Sequence, residues 1–363
     1  MTEQLKDHRG VVFLVMVASI VIIIYGINQA QSVVALFLVA VFLALIGTPP
    51  VLWLERKHVP SSVAVFLIMA SMIALLLAIG GIVGTSLNTF SERLPFYQER
   101  LHDQVMALRD LLATKHIVVT EKVLLEYFNP GSAMSLTAGL FTGLGSALSD
   151  IVLILLTVTF ILLEASSFSI KLRSVLGDPQ RAFPQFAKFL DDIKRYMIMK
   201  TIISAFAGAI VTLWLFILGV DFPVLWGFLA FLLHYVPNLG QIMAAIPAVL
   251  MALIQLGVGS ALLTAAGYFV VGFTLGNVVE PRFMGRRLGL STLVVFISLM
   301  VWGGLLGPIG VILCVPLTMT MKFAFECNVS TRWIAILLGS EKAVESMPPA
   351  TKKRIRPASL NND

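Results

Sequence analysis

The chain has too few charged residues for a folded water-soluble domain. Only 13% of its 363 residues are Asp, Glu, Lys or Arg, whereas 58% are hydrophobic. Water-soluble domains carry about 25% charged and about 45–50% apolar residues. A globule of this length could not hide that apolar excess from water, so the composition excludes a soluble protein and indicates an integral membrane protein.

Cysteines and enzyme motifs are also scarce. The two cysteines, Cys314 and Cys327, have no second Cys or His at metal-ligand spacing. The sequence contains no HExxH zinc motif, no GxSxG nucleophile elbow and no P-loop. No charged cluster resembles a nucleic-acid surface. We therefore expect no enzymatic activity and no catalytic residue, cofactor, metal or nucleic-acid partner.

Long apolar runs dominate what is present. A membrane-spanning helix needs about 20 mainly apolar residues, with a range of about 17–25. Two longer runs, 222–256 and 291–326, are interrupted by Pro and Gly. Uninterrupted runs of spanning length lie at 11–27, 32–54, 62–87, 144–164, 199–220 and 258–279.

Basic residues predict which loops face the cytoplasm, because Lys and Arg concentrate there. Residues 165–200 carry seven Lys/Arg against three Asp, whereas residues 88–135 carry five basic and six acidic residues. With Asp221 outside and the arginines of 282–287 inside, residues 222–256 must form a hairpin, and a basic tail inside requires a second one at 291–326. We therefore predict an all-α polytopic membrane protein of about eight membrane elements. Its two Gly/Pro-broken hairpins either span the membrane or re-enter it.

The same pattern predicts six parts along the chain. They are three N-terminal spans (1–87), an external amphipathic helical segment (88–135), a fourth span (136–164), a cytoplasmic amphipathic segment (165–198), a transport core with both hairpins (199–326) and a basic, largely disordered tail (327–363).

Two amphipathic segments outside the spans are predicted to pack against other helices or against lipid. Leu94, Leu101 and Leu108 recur every seven residues, with Tyr97 between them. Such a stripe favours either packing on the protein's own spans or a contact between subunits. Phe186, Leu190 and Ile193 recur with lysines and arginines around them, which is typical of a helix lying against anionic lipid.

Polar residues inside apolar runs are the candidates for function, because ionisable side chains in a membrane are costly. Asp150 and Asp221 are candidates for ion coupling, although both also fit a position at the lipid headgroups. In the first hairpin His234, Asn238 and Gln241 offer polar groups beside a broken helix. At the end of the run 258–279, Asn277, Glu280 and Arg282 can share one side of a helix end, and Glu280 and Arg282 either pair or face a substrate.

The interrupting stretches carry a recognisable pattern. "YVPNLGQIMAAIPAVLMALIQLG" is followed by "GNVVEPRFMGRRLGLSTLVVFISLMVWGGLLGPIGVILCVPL". These stretches resemble the autoinducer-2 exporter family of bacterial membrane proteins, also described as PerM-like permeases. The resemblance implies a multi-pass protein of the bacterial inner membrane, with cytoplasmic termini by the charge pattern, a small-molecule substrate and a homo-oligomeric state. The positions that match the family pattern are Pro237, Gly240, Asn277, Pro281, Gly285, Gly307, Gly310, Pro316 and Leu317.

The favoured function is a secondary exporter of a small polar solute, coupled to a proton or sodium gradient, with autoinducer-2 as the substrate that the resemblance implies. The alternatives are a monovalent cation/proton antiporter and a non-transporting membrane scaffold. The linker "VEPRFMGRRLGL" is expected to act as a gate between the hairpins, so that changing Pro281 or Gly285 impairs flux. The residues assigned to substrate binding or gating are Pro237, Asn238, Gly240, Gln241, Asn277, Glu280, Pro281, Gly285, Gly307, Pro308, Gly310 and Pro316.

Overall fold

The regular elements of the structure, a computed structural model, are helical. It describes residues 2–100, 103, 104, 106, 139, 151–176, 184–237, 239–284, 290–328 and 331–339. Helices satisfy their own backbone hydrogen bonds, which the interior of a bilayer requires. The helices are α1 (Thr2–Gln29), α2 (Gln31–Arg56), α3 (Ser61–Glu92), α4 (Ile151–Leu176), α5 (Pro184–Leu218), α6 (Pro223–Leu233), α7 (Gly240–Leu256), α8 (Val258–Thr274), α9 (Glu280–Met284), α10 (Thr292–Cys327) and α11 (Arg332–Leu337), with a π-helical turn (Leu275–Val279) between α8 and α9.

Several helices in the described part of the chain have the length and apolar composition of membrane spans. Large apolar side chains such as Phe206, Phe216 and Phe269 are exposed on the outer faces of the helices, as lipid contact requires. The prediction of an all-α polytopic membrane protein is confirmed. Among the described residues, five helical stretches are long and apolar enough to cross a membrane: Gln31–Arg56, Ser61–Glu92, Gln185–Leu218, Val258–Phe283 and Thr292–Cys327.

The chain divides into two compact units, and the first of the two boundaries between them falls inside α2. One unit comprises residues 1–43 and 289–363. In it α11 packs against α10, and Ser291 N–H donates to Leu338 O at 3.2 Å. The helix α11 lies at the start of the stretch 327–363, which is predicted as a basic, largely disordered tail. Residues 340–363 lie outside the described residues.

Helix α10 is two helices joined by a sharp bend at Gly307. Gly307 has φ 64° and ψ −149°, a conformation essentially confined to glycine. Trp302 Nε1 donates to Thr318 Oγ1 at 3.1 Å, although sixteen residues of straight helix would separate them by about 24 Å. Pro308 begins the second half-helix, where its missing N–H costs nothing. The chain therefore folds back at the Gly-Pro stretch that the sequence singled out.

We expect Gly307→Ala to lower the free energy of unfolding by about 1–3 kcal/mol, because alanine strains this backbone conformation. Gly304→Ala is the matched control, since its new methyl group would meet no atom within 4 Å. Thermal unfolding of the two purified variants measures the difference. Equal unfolding temperatures would show that Gly307 does not require glycine.

The other unit, residues 44–288, is built around the broken helix pair α6 and α7. Helix α6 packs on α5, and α7 packs on both α6 and α8. Leu215, Trp226, Ala248 and Tyr268 are among the buried residues of their shared core. This packing holds the turn between α6 and α7 against α5 and α8.

Two helices continue past predicted boundaries between the spans and the segments outside them. Helix α5 joins the predicted cytoplasmic amphipathic segment to the following span without interruption. Helix α3 continues to Glu92, and residues 94–100 are again helical. Tyr97 is fully buried in the core of this unit, so its position in the heptad-like stripe serves packing on the protein's own spans. Leu101 and Leu108 lie outside the described residues.

Candidate functional site

A cavity of about 360 Å³ lies beside the turn between α6 and α7. Its wall includes the aromatic side chains of Tyr268, Phe269 and Phe273 on α8. Small-molecule sites are typically apolar cavities of about 300–1,000 Å³ with a few convergent polar groups. The polar groups of this cavity belong to Lys200, His234, Gln241, Asn277 and Glu280.

A lysine and a histidine converge on one carboxylate in this cavity. Lys200 Nζ forms an ion pair with Glu280 Oε1, and His234 Nε2 lies 3.2 Å from the same oxygen. The Lys200 and His234 side chains are only 4% and 5% exposed, so both are shielded from solvent. A buried charge is stable only when it is paired, so Lys200 and Glu280 depend on each other.

The imidazole of His234 also contacts Gln241. Gln241 Nε2 lies 2.9 Å from His234 Nδ1. Two atoms of this pair, His234 Nε2 and Gln241 Oε1, are buried and have no hydrogen-bond partner among the described residues. The contact of Nε2 with Glu280 Oε1 is an ion pair only when the imidazole carries a proton on both nitrogens. Unsatisfied buried polar atoms are costly in a fold and are common where a ligand or a proton binds.

A tight turn brings His234 and Gln241 together. Helix α6 ends at Leu233, and Val236 N–H donates to Leu233 O at 2.8 Å. Gly240 N–H then donates to Val236 O at 3.2 Å as α7 begins. The interruption predicted at "YVPNLGQ" is therefore present as a short turn between two helices, although Asn238 lies outside the described residues.

A π-helical turn before Glu280 accommodates Pro281 within a helix. Glu280 N–H donates to Leu275 O, five residues back. A proline ring in a regular helix would clash with the carbonyl four residues earlier, that of Asn277. The wider π turn avoids that clash. Such turns are frequent at functional sites. The helix upstream of Pro281 therefore continues only as an irregular, π-helical turn.

Glu280 does not pair with Arg282. In a helix, residues two apart point to different sides, so α9 separates the two side chains. Arg282 is exposed, while Glu280 contacts Lys200 and His234. The sequence did not predict Lys200 as a site residue, because Lys200 was counted as the last cation of the basic cytoplasmic segment 165–200. Its position at the start of a long apolar run could have identified it, because ionisable residues within membrane helices are rare and often functional.

The predicted site residues fall into separate groups. Pro237, Gln241, Asn277 and Glu280 line the cavity. Gly240 begins α7 beside it, and Pro281 is exposed on α9. Asp150 and Gly285, like Asn238, lie outside the described residues. The other unit holds Gly307, Pro308, Gly310 and Pro316 at and after the bend in α10.

Asp221 lies between α5 and α6, away from the cavity, in a network of its own. Its carboxylate accepts hydrogen bonds from Tyr97 Oη at 2.8 Å and Arg93 Nη1 at 3.2 Å. Its backbone N–H donates to Gln255 Oε1 at 2.8 Å, which connects it to the end of α7. Burial, reinforced by the Asp221 carboxylate, raises the pKa of Tyr97, so its phenol remains a donor at neutral pH.

We expect Tyr97→Phe to lower the free energy of unfolding by about 1–3 kcal/mol, because a buried donor to a carboxylate is lost. Tyr25→Phe is the control, since Tyr25 is 65% exposed. Thermal unfolding of both variants checks this. A loss no larger at Tyr97 than at Tyr25 would show that the network does not stabilise the fold.

A second, more open cleft of about 880 Å³ lies between α2 and α5. Arg56, Lys194 and Arg195 line it together with Trp53 and Pro49. No acidic side chain among the described residues forms an ion pair with these three cations. Lys194 and Arg195 belong to the amphipathic segment for which the sequence predicts contact with anionic lipid.

Comparison with known proteins assigns the family. The model of the AI-2E family transporters matches residues 12–329. The AI-2 transport protein TqsA of Escherichia coli strain K12 is 39% identical over 338 residues, covering 93% of this chain and 98% of TqsA. YhhT of the same strain, also named as a transport protein, is 35% identical over 342 residues, covering 94% of this chain and 98% of YhhT. The chain therefore belongs to the AI-2E family and is a multi-pass membrane transporter, not an enzyme.

Proposed function

We propose that this protein exports a small polar solute across the bacterial inner membrane and that the cavity beside the α6–α7 turn is its substrate site. The observation that carries the proposal is the cluster of Lys200, His234, Gln241 and Glu280 in that cavity. Ionisable residues within membrane segments mark substrate and ion pathways. Broken helices are also where transporters bind their substrates.

The lengths of the broken helices support a site within the membrane. At about 1.5 Å per residue, the 11 residues of α6 extend about 16 Å, roughly half the hydrocarbon core. If α6 starts at the outer surface, as the charge pattern predicts, its far end lies inside the bilayer. Irregular backbone at that depth is tolerated where it lines a cavity. The hairpin 222–256 is thus proposed to re-enter the membrane.

Autoinducer-2 is the proposed substrate, because TqsA carries that transport function in its name and shares 39% identity with this chain. The cavity offers amide, imidazole and charged groups between aromatic walls, which suits a small molecule with several polar groups. A monovalent cation/proton antiporter fits less well. The carboxylate that lines the cavity is already paired with Lys200, so it offers little net negative charge to a sodium ion.

Release of labelled autoinducer-2 from proteoliposomes of the purified protein tests the proposal, with and without an imposed proton gradient. We expect release faster than from protein-free vesicles. Sodium-dependent proton movement in the same vesicles, without autoinducer-2 release, would contradict the proposal and support the antiporter.

A further inference from the structure

The open cleft between α2 and α5 has both basic and apolar walls, and each helix contributes to both. On α2, Pro49, Trp53 and Arg56 line the cleft from one face, because residues three or four apart in a helix lie on the same side. On α5, Arg195 and Met199 line it from one face for the same reason. Each helix therefore passes from a cation to apolar side chains within about two turns.

The charge pattern predicts that the basic ends of both helices lie on the same side of the membrane. Arg56 ends α2, and Arg195 lies in the basic segment 165–200, and both are predicted to face the cytoplasm. Helix α2 then runs toward the cytoplasm and α5 runs away from it. At about 1.5 Å per residue, Pro49 lies about 10 Å deeper along α2 than Arg56. The cleft is therefore basic at the level of the lipid headgroups and apolar toward the hydrocarbon core.

Positive charge is in excess in the cleft. Three cations, Arg56, Lys194 and Arg195, line it together with one carboxylate, that of Asp191. In the described part of the chain none of the three cations forms an ion pair. A guanidinium binds phosphate through two parallel N–H donors, and a lysine adds a point charge. A phosphate between the two helices would therefore be contacted from both sides.

The apolar side chains of the cleft favour a lipid phosphate over a soluble one. Leu52 and Trp53 line the cleft and are 44% and 61% exposed. Lys57 Nζ lies 5.9 Å from the centroid of the Trp53 ring. Tryptophan is enriched at membrane–water interfaces, where its ring lies at headgroup level. Exposed apolar surface beside unpaired cations complements a molecule that carries both a phosphate and acyl chains.

We propose that this cleft binds an anionic phospholipid of the cytoplasmic leaflet. Its phosphate lies between Arg56 on α2 and the cations Lys194 and Arg195 on α5, and an acyl chain follows Leu52 and Trp53. Basic pockets between membrane helices on the cytoplasmic side are known to bind anionic headgroups. A zwitterionic lipid would add its own cation beside three others, so the cleft selects headgroups without an amine. Lipid binding at this cleft does not depend on the proposed transport function and is measured without it.

Quenching of Trp53 fluorescence by brominated lipid measures this binding in the full-length protein. The protein is reconstituted in phosphatidylcholine bilayers that contain a small fraction of brominated phosphatidylglycerol or, in a parallel set, brominated phosphatidylcholine. The chain has five tryptophans, so the difference from Trp53→Phe isolates the signal of Trp53. We expect Trp53 to prefer the anionic lipid by about ten-fold, because each basic residue near a membrane surface contributes about five-fold. Equal quenching by the two lipids would overturn the proposal.

Charge variants test whether the cleft itself causes the preference. Arg56→Gln and Arg195→Gln should each lower it by about five-fold, and together they should lower it to about one. Both side chains are exposed, so the single variants decide the matter if the double variant does not fold. Lys188→Gln is the matched control, because Lys188 is exposed on α5 outside the cleft lining. An unchanged preference in both arginine variants, or an equal loss in Lys188→Gln, would contradict a site at this cleft.

A competition experiment separates a lipid from a soluble anion. Inorganic phosphate, added at the same ionic strength as a chloride control, should leave the quenching of Trp53 by brominated phosphatidylglycerol unchanged. Displacement by phosphate but not by chloride would assign the cleft to a soluble phosphate and refute the lipid.

Discussion

Replacing Glu280 with glutamine is expected to abolish most transport and to lower the free energy of unfolding by about 3 kcal/mol. The substitution leaves Lys200, whose side chain is 4% exposed, as an uncompensated buried cation. Removing one partner of a buried pair typically costs about 3–5 kcal/mol. We expect the lower end, because Glu280 borders a cavity. Proteoliposome release and thermal unfolding measure the two effects.

The double variant Lys200→Met with Glu280→Gln separates the two roles of the pair. Removing both charges should restore most of the lost stability, since no unpaired charge remains. Transport should stay low, because the charged groups of the cavity are gone. Glu326→Gln is the matched control: Glu326 is 46% exposed and pairs with Lys322 at 3.8 Å, so it should cost at most about 0.5 kcal/mol. A double variant that transports normally would exclude the pair from the transport mechanism.

Gly240→Ala is expected to lower the free energy of unfolding by more than about 2 kcal/mol and to reduce transport with it. A methyl group at this position would overlap the carbonyl oxygen of Leu233, the last residue of α6. Backbone cannot move aside as a flexible side chain can, and overpacking typically costs about 1–3 kcal/mol or more. The resulting displacement would separate His234 from Gln241. Thermal unfolding and autoinducer-2 release of the variant check both parts.

Gly259→Ala supplies the comparison for this change. Its methyl group would meet no atom within 4 Å, and alanine favours a helix over glycine. It should therefore be neutral or slightly stabilising. If Gly240→Ala behaved like Gly259→Ala, the close approach of α6 and α7 at this turn would be contradicted.

The breaks in the membrane helices were predictable from sequence, because they depend on local chemistry. Pro237 lies in the turn that follows α6, and Gly240 begins α7. Gly307 adopts a backbone conformation that glycine alone favours. Their presence in otherwise apolar runs predicted interruptions at both places. The positive-inside pattern then predicted that each interruption belongs to a hairpin.

The partners inside the site were not predictable in this way, because they come together only through tertiary packing. Lys200 and Glu280 are eighty residues apart, and no periodicity connects them. The sequence left open whether Glu280 pairs with Arg282 or faces a substrate, and only the packing of α9 shows that it lies against Lys200 on α5. Tyr97 belonged to a stripe that fitted several partners, and only the fold shows that it packs beside Asp221.

Protection of an introduced cysteine by substrate tests the location of the transport site most directly. Cys327 is exposed and is first replaced by serine, while Cys314 is buried and remains. Ala245, which lines the cavity, and Gly259, which is exposed and lies outside its lining, are then replaced by cysteine in separate variants. We predict that autoinducer-2 slows maleimide labelling of Ala245→Cys and leaves that of Gly259→Cys unchanged. Equal labelling of Ala245→Cys with and without substrate, in protein that transports it, would contradict the assignment of this cavity as the transport site.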